Sequence, residues 1–182
     1  MEQISDHEIL RLFNKEATRS KAFALLMDKY QQKMYWLIRR MVFDHTDTDD
    51  ILQETFIKVW ENLHTFRGES RLFSWLYRVT FNEAISFLKK KRKDLGLENQ
   101  GFSDHMENIL DDNYRMDCSE IEKRLQKAIL QLPEMQRTVF QMRYFDMMDY
   151  EEISEVVGSS TNSVKTSYHF ATKKIEKFLK ED

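Results

Sequence analysis

The stretch Phe66–Lys93, FRGESRLFSWLYRVTFNEAISFLKKKRK, opens on a loop containing Gly68, runs on without a helix breaker and closes on five consecutive cations. Leu72, Leu76, Val79 and Phe87 fall near helical spacing and are expected to face a core. Six aromatics (Phe66, Phe73, Trp75, Tyr77, Phe81 and Phe87) are interleaved with Arg67, Arg71 and Arg78. Rings stack on any base and cations follow any phosphate backbone, so this mixture suits unpaired nucleic acid. A core helix with a solvated basic end accounts for part of the pattern. It does not account for the polar Asn82 among the aromatics, nor for the basic run placed just behind them. Those two features point to DNA.

Working outward, the composition agrees with a helical chain. Of 182 residues 41% are hydrophobic, with only 4 Gly and 1 Pro, which favours helices over sheet or disorder. The expected fold is all-α: two small helical domains, residues 1–93 and 120–182, joined by a flexible acidic linker over 94–119. The single cysteine, Cys118, excludes an internal disulfide framework and has no metal-ligand spacing. No apolar run is long enough to span a membrane, and the opening MEQISDHEIL lacks the regions of a signal peptide, so a cytoplasmic protein is expected. No cofactor or small-molecule substrate is implied. The five histidines are scattered, and neither a glycine-rich phosphate loop nor a nucleophile arrangement is present, so an enzyme is not expected.

The net charge of −3 is unevenly spread. Residues 1–92 carry 16 Lys/Arg against 13 Asp/Glu, residues 93–120 carry 2 against 8, and residues 121–182 carry 10 of each. Two neutral-to-basic blocks therefore flank an acidic connector. Such a chain should hold DNA weakly alone and need a larger partner to hold it well.

In chain order, Ser5 and Glu8 form a capping box for a first helix, and Ser20 is placed to cap a second, whose stripe is Phe23, Leu26, Met27, Tyr30, Met34, Leu37, Ile38 and Met41. A third helix is expected from about Thr48 to Asn62, with Ile51, Thr55, Phe56 and Val59 inward and Glu54 able to pair with Lys58. From Asp94 to Ser119 periodicity fades, with at most a short helical turn at Met106, Ile109 and Leu110. Ser119 and Glu122 suggest a cap for a helix carrying Ile121, Leu125, Ala128 and Ile129. Pro133 opens the next helix, which is expected to bury Val139, Phe140 and Met142. Asp149 and Glu152 cap a short helix ending at Val157, Gly158 turns the chain, and Ser160 or Thr161 starts a last helix striped by Val164, Tyr168, Ala171, Ile175 and Phe178. Short helix, glycine turn and longer helix make a helix-turn-helix over about 149–170, whose second helix enters a major groove.

Three stretches carry a family resemblance. Phe66–Lys93 resembles the promoter-melting segment of extracytoplasmic-function (ECF) sigma factors, small sigma-70 relatives that direct bacterial RNA polymerase. The run DTDDILQETFIKVW resembles their polymerase-clamp-binding helix, and LPEMQRTVFQMRYFDMMDYEEISEVVGSSTNSVKTSYHFATKKI their minus-thirty-five-reading domain. The resemblance spans nearly the whole chain, and it implies core RNA polymerase and promoter DNA as partners, with an anti-sigma factor as regulator. It places core binding on Asp50, Gln53, Glu54 and Trp60. Minus-ten recognition falls on Phe66, Arg67, Gly68, Ser70, Trp75, Arg78, Asn82, Lys89, Lys90 and Arg92, and minus-thirty-five recognition on Ser163, Lys165, Thr166, His169 and Lys173. The chain departs from the family at Ser86, where Asp is frequent, and at Ser167 and Phe170, where arginines are common. The alternative is a helix-turn-helix regulator that binds a duplex operator as a homodimer, using its first block for dimerisation or a ligand. A helical scaffold without nucleic acid is a third reading.

Overall fold

The computed structural model describes residues 4–97, 99–113 and 120–180, and every regular element among them is a helix. The chain divides into two compact units, Met1–Lys93 and Asp94–Asp182.

The first unit holds α1 (Asp6–Phe13), α2 (Arg19–Val42), α3 (His45–Asn62) and α4 (Leu72–Asp94). Ser5 caps α1 by accepting from the Glu8 amide at 3.2 Å. Asp6 then clips α1 to α2, accepting from Lys29 Nζ at 2.6 Å and from the Tyr30 hydroxyl at 2.7 Å. Burial, with Asp6 beside it, pushes the Tyr30 hydroxyl well above the ordinary tyrosine range, so it stays a donor at any physiological pH. Ser20 does not cap α2. A 3-10 turn (Glu16–Thr18) precedes the helix, and the Thr18 hydroxyl donates back to the Leu12 carbonyl at 2.7 Å. Phe43 ends α2 in a left-handed conformation (φ 59°). Such a conformation costs a non-glycine residue about 1–2 kcal/mol, which the complete burial of its ring offsets. Asp44 then accepts from the Asp47 amide at 2.9 Å, starting α3 three residues ahead of the expected Thr48. The expected α2 stripe is buried at Leu26, Tyr30, Met34, Leu37, Ile38 and Met41. Of these, Leu26, Tyr30 and Met34 meet Phe56 and Val59 of α3 and Leu72 and Leu76 of α4 in one apolar core.

The second unit holds α5 (Asn99–Asn113), α6 (Glu120–Leu130), α7 (Glu134–Tyr144), α8 (Tyr150–Val157) and α9 (Thr161–Lys180). The expectation of fading structure across 94–119 is corrected over residues 99–113, which form a fifteen-residue helix rather than one turn. Met106 and Leu110 are buried, and Asp111 binds Lys123 at 2.9 Å and Lys127 at 3.0 Å, fastening α5 to α6. Cys118 and Ser119, and with Ser119 the capping box of α6, lie outside the described residues. Ile121 is 74% exposed and not part of the α6 core stripe as expected. Ile121 is the second residue of α6, and the residues of α6 that enter the core, Ala128 and Ile129, lie two turns further on. Ala128, Ile129, Leu132, Phe140, Ala171 and Ile175 form the core. Tyr144 and Tyr168 each stack on Phe140, with ring centroids 5.1 and 5.9 Å away.

Candidate nucleic-acid and protein interfaces

The α3 surface follows from its heptad arithmetic. Thr48, Ile51, Thr55, Phe56 and Val59 turn inward, which leaves Asp50, Gln53, Glu54 and Ile57 on the outside. Ile57 is 52% exposed, so this face is a polar band with an uncovered apolar centre. Trp60 is divided between two roles. It is 38% exposed, yet its ring meets Phe13 edge-on at 5.5 Å and Phe23 at 5.0 Å. Lys58 pairs with Glu83 of α4 instead of the expected Glu54.

The loop before α4 and the α4 face separate the expected minus-ten residues into three groups. Arg67, Gly68, Arg78 and Asn82 are exposed, and Gly68 turns the loop at φ 74°, a conformation that suits glycine. Phe66 and Trp75 are half-buried, pack on each other with centroids 5.8 Å apart, and lean on the first unit's core; Ser70 is also half-buried. The reading of the six aromatics as a stacking platform is corrected here. Tyr77 is fully buried and Phe73 lies against Tyr30, with Lys33 over its ring at 5.2 Å, so both serve the fold. At the basic end Lys89 and Lys90 are exposed, while Arg92 is half-buried and engaged with neighbours. Lys91 is withdrawn from the run, ion-paired to Asp47 and lying over the Phe87 ring.

Asn82 lines a shallow cleft of about 240 Å³ between α3 and α4, shared with Lys58, Asn62, Val79, Glu83 and Ser86. Its backbone carbonyl accepts from the Ser86 hydroxyl at 2.8 Å, and its side chain faces solvent instead of satisfying the loop backbone. Asn62 and Glu83 are members of this cleft that the sequence did not single out, and Lys58 was expected only as a partner of Glu54. They come together only because side chains from the end of α3 meet those from the middle of α4, though the exposed i, i+4 pair Lys58–Asn62 was readable.

In the second unit Asp149 accepts from the Glu152 amide at 2.7 Å and Glu152 returns the bond to the Asp149 amide at 3.1 Å. Gly158 ends α8 at φ 67°, and Ser160, not Thr161, caps α9 by accepting from the Ser163 amide at 3.2 Å. Val164, Ala171 and Ile175 anchor α9 to the unit. Ser163, Lys165, Thr166, His169 and Lys173 are all exposed, and Lys165 lies 5.6 Å from the Tyr150 ring centre. Ser167 is half-buried, whereas Phe170 is 49% exposed. Among the described residues no cluster of His, Cys, Asp and Glu could hold a metal ion, and no helix is long and apolar enough to cross a membrane.

Comparison with known proteins places both units. Residues 26–94 match the family model described as Sigma-70 region 2, and residues 122–175 match Sigma-70, region 4. An RNA polymerase sigma-H factor from Pseudomonas aeruginosa is 35% identical over 87% of this chain and 86% of its own length. An ECF RNA polymerase sigma-E factor from Haemophilus influenzae is 30% identical over 96% and 95%. The ECF RNA polymerase sigma factor SigW from Bacillus subtilis is 30% identical over 88% and 90%. Among solved structures, CnrH in complex with the cytosolic domain of CnrY shares this fold with a TM-score of 0.70 at 20% identity, covering 97% of this chain and 98% of that one. The sigma factor RpoE, in complex with the anti-sigma factor NepR from Bartonella quintana, shares it with a TM-score of 0.68 at 18% identity, covering 89% and 99%.

Proposed function

Because this chain belongs to the ECF RNA polymerase sigma factors, we propose the following division of labour among its surfaces. It binds core RNA polymerase through the exposed α3 band of Asp50, Gln53 and Glu54, with the outer edge of Trp60. It reads the minus-thirty-five element through Ser163, Lys165, Thr166, His169 and Lys173. It then captures a minus-ten base between the Gly68 loop and Asn82. Arg67, Arg78, Lys89, Lys90 and Arg92 follow the phosphates, while Phe66, Ser70 and Trp75 shape the wall. The observation that carries this reading is the correspondence of boundaries. The region 2 match ends at residue 94, where the first unit ends at Lys93, and the region 4 match lies wholly within the second unit.

Energetics make the polymerase indispensable. Extruding a base costs a few kcal/mol, and stacking on an aromatic returns roughly 1–3 kcal/mol. With Tyr77 buried and Phe66 and Trp75 half-spent on the core, the stacking return falls at the low end. The Asn82 amide, a donor and an acceptor in one group, supplies selectivity by hydrogen bonding to the polar edge of the base. Melting then proceeds only while the enzyme holds the duplex. The chain performs no chemistry of its own and works in the cytoplasm. An anti-sigma protein is the proposed regulator, as one is the partner in the Bartonella structure.

Run-off transcription with core enzyme on a promoter library tests this reading. The expected result is transcripts from a defined subset of promoters, absent without the chain. No promoter-dependent transcript, together with failure to co-purify with core polymerase, would overturn it in favour of a duplex-binding regulator.

A further inference from the structure

Resting on the reading of α8 and α9 as the minus-thirty-five binder, we propose that Phe170 and Thr166 form an apolar strip that recognises the 5-methyl group of a thymine in that element. Phe170 is 49% exposed on a helix whose other open positions are short, polar or cationic. The one aromatic ring beside it among the described residues is His169, at 5.8 Å, and Phe170 is not among the residues packed on the second unit's core. Thr166 stands four residues earlier, one turn back on the same face. Its hydroxyl donates to the Asn162 carbonyl at 2.9 Å, so as a donor it is committed to the helix, and what it offers the groove is chiefly its methyl group.

A long side chain in a helix leans towards the N-terminus and covers the preceding turn, so the Phe170 ring lies over the turn that carries Thr166. That brings it back towards the base-reading end of the helix. Lys165, Lys173 and Lys174 are exposed on either side, which gives the strip the cationic border that a phosphate-walled groove requires. In the major groove the thymine methyl is the one apolar group that distinguishes a base edge, and phenylalanine and the threonine methyl are among the side chains suited to it. Cytosine, lacking that methyl, offers such a strip an unmatched amino donor.

The experiment uses the full chain with core polymerase. A promoter library randomised across the minus-thirty-five element is selected, and each thymine of the enriched sequence is then replaced by deoxyuridine, which removes the methyl alone. At one thymine, binding by the unaltered chain should weaken about three- to fivefold, the worth of one buried methyl group. Phe170→Ala should abolish that discrimination and Phe170→Leu, which keeps an apolar side chain, should retain most of it. Indifference of the unaltered chain to every deoxyuridine, or unchanged discrimination in Phe170→Ala, overturns the proposal while leaving the unit a promoter binder. Enrichment of no sequence at all overturns the promoter reading and this inference with it.

Discussion

The helices α4 and α9 are of similar length, 23 and 20 residues, and both are rich in aromatics and cations, yet they spend their side chains oppositely. α4 buries Leu72, Ser74, Leu76, Tyr77, Thr80 and Ala84, and leans Phe73, Trp75 and Val79 against the same core. α9 buries Val164, Ala171 and Ile175 and leans Tyr168, Phe178 and Leu179 on its core, while Asn162, Thr166, His169, Lys173 and Lys177 on the other side stay exposed. A helix that spends most of its long side chains on a core has little surface left for a ligand, so on the proposed reading α4 is left with its flanking loop, its basic end and one polar edge at Asn82. A helix packed on one side only, as α9 is on α6, α7 and α8, can offer the length of the other. Aromatic content alone therefore says little about base stacking until the core has taken its share.

The sharpest break in this comparison comes from truncating each helix in turn. Leu76→Ala in α4 should destabilise the first unit by about 2–5 kcal/mol, whereas Phe170→Ala in α9 should stay within about 0.5 kcal/mol. Urea denaturation followed by circular dichroism checks both, and comparable losses would show that α9 is more deeply packed than its exposure indicates. Next in size is the turn that frees α9. Gly158→Ala forces a Cβ into a left-handed conformation at φ 67° and should cost about 1–2 kcal/mol, although no steric neighbour is present. A smaller effect is expected at Asp111. Hydrogen bonds from Lys123 and then Lys127 hold its carboxyl below the ordinary value near 3.8. Its contribution is thus fully present above that value and is lost as pH falls through the lowered one. The protection of α5 amides relative to their intrinsic exchange rate should accordingly be unchanged from neutrality down to about pH 5, and should fall in more acid solution. Asp111→Asn should show the reduced protection already at neutral pH.

The smallest effect on stability belongs to the α3 band. Replacing Asp50, Gln53 and Glu54 together by alanine should move the melting temperature little, since all three are exposed, while affinity for core polymerase falls at least tenfold. Unfolding of this variant would mean that the band is structural.

Much of this division was legible because local chemistry fixes it. The capping pair Asp149–Glu152, Gly158 and the spacing of Val164, Ala171 and Ile175 specify the helix-turn-helix without help from distant residues. What escaped the sequence depends on contacts made across the chain. Helix α5 has Gly101 in its first turn and a polar, acidic surface, so its periodicity reads as a loop, and ion pairs from Asp111 to Lys123 and Lys127 bind it to α6. The Asn82 residue itself was visible, but its cleft was not, because Asn62 and Lys58 arrive from another helix. Ile121 looked internal because periodicity cannot show how far along a helix the core extends.

The most direct test of DNA reading by the exposed edge of α4, and not by its aromatics, is permanganate footprinting of unpaired thymines with core polymerase and the Asn82→Ala chain. Asn82 is exposed and, among the described residues, its side chain makes no hydrogen bond, so the variant should fold and bind core enzyme normally. The expected result is weak thymine reactivity on a duplex promoter, with only partial recovery of transcription on a promoter pre-melted at the minus-ten element, because the freed base still has no polar partner. Reactivity equal to that of the unaltered chain, or full recovery on pre-melted DNA, would contradict it.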